Sequence, residues 1–150
     1  LILMKPHHFF DIIKLHGSGL DNFVPDLNFR HDFYKIGNKI LENKETVLKL
    51  TIYDDEICKP CRCIDDKGIC VDGISHIEGI HSKDDWNKIL DKRMMELTNL
   101  SEGHEIKAID FCKLLKTFEN LTFNVWAEEN PEIQVKRDGF FKAGVEKYLK

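Results

Sequence analysis

The sequence predicts an α+β fold: one mostly helical domain with a small sheet and a cysteine-rich loop. Three observations lead there. Apolar residues recur at helical spacing in several stretches, most clearly Phe29, Phe33, Ile36 and Ile40. One stretch, Thr46 to Tyr53, alternates apolar and polar residues in the manner of a strand. Directly after it, four of the five cysteines fall within thirteen residues, at Cys58, Cys61, Cys63 and Cys70.

The first segment, Leu1–Met4, is short and apolar and suits a strand beside the alternating stretch. Pro6 fits the first turn of a helix, where its missing N–H costs nothing. That helix is expected over about His7–Leu15, with Phe9, Ile12 and Ile13 on its buried face and Gly17-Ser18-Gly19 ending it. A second helix is expected over about Leu27–Asn43, and the strand follows. The cysteine loop then occupies Asp54 to about Gly73. Ser82, with Asp85 three residues on, reads as the cap of a third helix reaching about Leu97. Its apolar face is Trp86, Ile89, Leu90, Met94 and Leu97. A fourth helix is expected over about Ile106–Phe118. In the tail, Pro131 interrupts the chain, and Phe141, Val145 and Tyr148 suggest a final helix despite Gly144. No repeat, low-complexity run or interdomain linker divides residues 1–150.

A chain of 150 residues buries enough surface for a real core, so it does not depend on metal to fold as a zinc finger does. The formal net charge of −4 argues against nucleic acid as a partner. No apolar run is long enough to span a bilayer, and the opening apolar residues are too few for a signal-peptide core. Packing four cysteines into one loop would staple almost nothing as disulfides. These features together lead us to expect a reducing, cytoplasmic setting and no membrane partner. There is no P-loop, dinucleotide fingerprint or hydrolase nucleophile elbow.

The cysteine cluster carries the chemistry. Soft thiolates close together in one loop suit a metal ion or an iron–sulfur cluster. Cys58, Cys61, Cys63 and Cys70 supply a four-cysteine set. Equally, Cys58, Cys61 and Cys70 form a core whose fourth ligand comes from Cys63, Cys112, His7, His8, His76 or His81. Zinc sites usually pair two separated knuckles, and a second knuckle is absent, so the compact run favours a cluster, with zinc as the alternative. His7 and His8 stand at a helix start just after the first strand. If the two strands run parallel, that pair and the cysteine loop share one sheet edge. One of the two histidines is then expected near the thiols.

The order of these motifs resembles a small prokaryotic family known only as a domain of unknown function, number twelve-eighty-four. The resemblance rests on Pro6-His7-His8-Phe9-Phe10, Gly17-Ser18-Gly19-Leu20, Asp54-Asp55-Glu56-Ile57-Cys58-Lys59-Pro60-Cys61 with Cys70, Leu90–Leu97 and Leu100-Ser101-Glu102-Gly103. It covers about residues 3–118 and leaves about 119–150 as a helical extension. It implies an iron–sulfur cluster, taken here as [4Fe–4S], at positions matching Cys58, Cys61 and Cys70, with His7 and His8 matching the family's histidine pair. The family often carries a further cysteine three residues after the second histidine. Asp11 stands there in this chain, and Cys63 is an extra thiol able to replace it.

Three functional classes are therefore expected. The first is an electron-transfer or redox protein with a redox partner protein. The second is a zinc-bearing structural or interaction module. The third is a small metalloenzyme with an open metal position near His7 and His8.

Overall fold

A computed structural model describes all 150 residues and forms a single α+β domain. The elements are β1 (Ile2–Met4), α1 (Pro6–Gly17), α2 (Phe33–Glu42), β2 (Val47–Leu50), α3 (Lys83–Thr98), β3 (Glu105–Lys107), α4 (Ala108–Lys116), α5 (Leu121–Val125) and α6 (Pro131–Tyr148). No helix is long and apolar enough to cross a membrane.

The sheet has the order β1-β2-β3. β1 and β2 run parallel, with Ile2 opposite Leu48 and Met4 opposite Leu50. β3 pairs antiparallel on the other edge of β2, Leu48 facing Ile106. Leu48 and Leu50 point into the core and Lys49 out, which is the alternation that marks this strand in the sequence.

Helix α1 begins as Pro6 predicts and extends to Gly17. Helix α3 is capped as expected: the Ser82 hydroxyl accepts the Asp85 N–H at 3.2 Å. Asn99, left-handed at φ 57°, ends it.

Three expectations are corrected. Helix α2 starts at Phe33 rather than Leu27, because Asp26 Oδ1 accepts the N–H groups of Asn28 and Phe29 and closes a turn there. The chain straight before the fourth helix is strand β3, completing the second edge of β2. Pro131 starts the last helix instead of interrupting one, with Asn130 Oδ1 capping the Glu132 N–H at 2.8 Å.

Residues 119–150 share the common core. Phe141 of α6 stacks on Phe10 at 4.0 Å between ring centres, and the Tyr148 hydroxyl donates to the Ile40 carbonyl at 2.8 Å. Full burial of one such aromatic contributes about 1.5–3 kcal/mol. Gly17 and Gly144 let α1 and α6 approach backbone to backbone. A Cβ on Gly144 would overlap the Ile13 carbonyl oxygen, and one on Gly17 would overlap that of Phe140. This explains a glycine inside an otherwise regular helix.

Candidate metal centre

Parallel pairing puts the carboxyl ends of β1 and β2 at one edge of the sheet. The chain after β1 enters α1 with His7 and His8, and the chain after β2 enters the cysteine loop. Glu56 ties the two together: its N–H donates to the Leu3 carbonyl at 3.1 Å, and its carboxylate accepts the Leu3 N–H at 2.7 Å.

Asp55 is the hub. It is fully buried. Oδ2 accepts the Lys5 N–H at 2.8 Å and the His8 Nδ1–H at 2.7 Å, while Oδ1 accepts the Cys58 N–H at 3.1 Å. Burial alone would raise its pKa. The His8 charge and these hydrogen bonds outweigh that and hold the carboxyl below its ordinary range. For His8, burial pulls the other way, but the Asp55 charge carries the imidazole up to about 9.

With Nδ1 committed to Asp55, His8 turns Nε2 toward Cys58, 3.8 Å from its Sγ. A carboxylate that orients a histidine whose second nitrogen faces a thiol is a frequent support in metal sites. The donor atoms of His8, Asp55 and Cys58 lie within 4.8 Å of one another. Three hydrogen bonds already occupy Asp55, so it acts as the orienting group and leaves His8 Nε2 and Cys58 Sγ facing each other.

His7 is held likewise, but by another element. Its Nδ1 lies 2.9 Å from both carboxylate oxygens of Asp91 on α3, and its backbone N–H donates to Asp91 at 2.8 Å. The two imidazoles lie 4.2 Å apart between ring centres, yet each is held by its own buried aspartate. Burial disfavours the His7 cation, yet Asp91 prevails and raises its pKa.

The cysteine loop is a succession of short turns. The Cys58 carbonyl accepts the Cys61 N–H at 2.9 Å, closing the first. Asp65 Oδ1 accepts the N–H groups of Lys67 and Ile69, and Gly68 takes φ 77°, making a hairpin that sets Ile64 opposite Cys70. Phe29, displaced from α2, anchors the loop: its carbonyl accepts the Arg62 N–H at 2.8 Å, and its ring lies 4.9 Å under the Arg62 guanidinium. Burial, and then the neighbouring Cys61, push the Cys63 thiol up.

Cys58, Cys61, Cys63 and Cys70 all line one cavity of about 410 Å³, together with His7 and His8. All five cysteines are free thiols. No three of the four loop sulfurs lie within 4.8 Å of one another. The other proposed fourth ligands lie elsewhere. Cys112 is buried in the core on α4, His76 is half exposed beside Glu129, and His81 belongs to a different surface hollow.

Cys112 yields a direct check. Burial raises its pKa to about 12, so it stays a thiol at neutral pH. Iodoacetamide at pH 8 should leave Cys112 unmodified in the folded, metal-free protein while alkylating Cys61 and Cys70, as read by peptide mass spectrometry. Equal labelling of Cys112 would contradict its placement in the core.

Sequence reasoning singled out neither Asp55 nor Asp91. Each had a signal: Asp55 stands three residues before Cys58, and Asp91 directly follows the apolar Leu90 on α3. It also missed the cavity's far wall, formed by Trp86, Trp126, Glu129 and Arg137. Comparisons with protein families, with curated proteins and with solved structures give no match.

Proposed function

We propose that the chain holds an iron–sulfur cluster at Cys58, Cys61, Cys63 and Cys70 and serves a redox role in a reducing compartment. One observation carries the reading: four free thiols and an aspartate-oriented histidine line a single cavity. The single compact run of cysteines, with no second knuckle, favours a cluster over one ion. Thiolates around a single zinc, at bonds of about 2.3 Å, must crowd within about 4 Å of one another. No three of these sulfurs lie within 4.8 Å of one another. When bound, such a cluster supplies one-electron chemistry. The protein's part is to present the thiolates and to place His8, whose Nε2 beside Cys58 is set to tune the centre's potential.

Protein purified without oxygen should be brown and contain iron and acid-labile sulfide. Serine at Cys58, Cys61 or Cys70 should abolish retention, Cys63→Ser should weaken it, and Cys112→Ser should leave it intact. Colourless protein with stoichiometric zinc would establish the zinc-bearing module instead.

A further inference from the structure

The cysteine loop has a second side. Cys58 and Cys61 line the cavity, while Lys59 and Pro60 between them line a separate surface hollow with Lys35 and Lys39 of α2. The segment after Phe29 runs along the same loop. The Asp32 N–H donates to the Ile57 carbonyl at 2.9 Å, and the Arg62 N–H to that of Phe29 at 2.8 Å. Along this seam and on α2 beside it stand Arg30, Lys35, Lys39, Lys59 and Arg62, all exposed. None of them pairs with a carboxylate. The acids of the hollow are Asp32 and Glu56, and Glu56 already accepts the Leu3 N–H. In a chain of net charge −4, unpaired bases therefore gather beside two of the cysteines.

We propose that this face docks a small acidic redox protein, its carboxylates meeting Lys35, Lys39 and Lys59. The proposal rests on the reading above for the partner's redox role. Complementary charge of this kind steers association more than it tightens it, which suits a brief electron-transfer encounter. Asp32 and Glu56, set among the lysines, repel a phosphate backbone, whereas a protein can place its own bases opposite them.

The full chain, purified without oxygen, is titrated by calorimetry with flavodoxin, an acidic flavin protein. Cytochrome c, a basic haem protein, and a single-stranded oligonucleotide are the comparisons. Saturable flavodoxin binding is expected at about 20 mM salt, and binding about tenfold weaker or more at about 300 mM, where screening is stronger. Lys35→Glu/Lys39→Glu/Lys59→Glu should weaken it about tenfold or more at low salt. Lys92→Glu/Lys113→Glu/Lys136→Glu changes the net charge equally, at exposed, unpaired lysines on α3, α4 and α6, and should weaken it far less. Exposed sites of this kind leave the fold intact. Absence of saturation, equal binding of cytochrome c, tighter binding of the oligonucleotide, or equal losses in the two variants would overturn the proposal. Calorimetry reads docking whether or not iron is present, so this result stands or falls apart from the iron analysis.

Discussion

Asp55→Ala is expected to be the most damaging single substitution outside the cysteines. It strips an acceptor from the Lys5 N–H, the Cys58 N–H and His8 at a site with no access to water. Removing one member of a buried, hydrogen-bonded charge pair costs about 3–5 kcal/mol, against a total stability of about 5–15 kcal/mol. For a chain of this size that corresponds to a fall in Tm of roughly 6–20 °C. Asp55→Asn keeps the shape but offers an N–H where an acceptor is needed, so it should fall between. Metal retention should drop in both, since His8 and Cys58 lose their common anchor. A thermal melt of Asp55→Ala matching the wild type would show that Asp55 does not fix the loop.

The second large effect lies at the contact of α1 with α6. Gly144→Ala should gain about 1 kcal/mol of helix propensity. It should lose more, because the new methyl meets the Ile13 backbone, which cannot swing aside as a side chain would. Overpacking costs about 1–3 kcal/mol and occasionally more. A rigid backbone obstacle belongs at the upper end, so a net loss of about 2 kcal/mol is expected, or roughly 4–8 °C in Tm. Gly139→Ala is the internal control. It lies on the same helix with open space where its methyl would go, and should stabilise by about 0.5–1 kcal/mol. If the two variants melt alike, the close approach of α1 and α6 is refuted.

The fold class was legible because periodicity carries it. Leu48 and Leu50 announce β2, and Trp86, Leu90 and Met94 announce α3. Where sequence reading overran, a side chain had captured the backbone. The four-three-four spacing continues through Phe29, yet Asp26 closes a turn there and Phe29 goes to Arg62 instead. Strand β3 offers three residues, none of them buried, and so no alternation to detect. It forms because β2 has a free edge.

The cysteines were legible as a cluster of one residue type. Their supports were not. Asp55 belongs to a run, Asp54-Asp55-Glu56, that reads as a solvated turn until parallel pairing places Lys5 and His8 opposite it. Arg137 and Trp126 come from the far end of the sequence, and no local pattern ties them to Cys58.

That distance also governs how the centre comes into being. α1 is among the first elements in the sequence, and it packs against α6, the last. The Lys147 ammonium donates to the His16 carbonyl across 131 positions. β1, for its part, has no ladder until β2 arrives some forty residues later. Pairings of this kind close large loops before any contact rewards them, so they form slowly. During synthesis His7 and His8 would leave the ribosome long before their aspartates, and α1 would wait for residues 131–148 to cover its apolar face. The nascent thiols are thus exposed before the cavity exists. On the proposed reading, cluster incorporation would follow synthesis of residues 131–148, and a pulse-chase experiment tracking iron against the protein would reveal the delay.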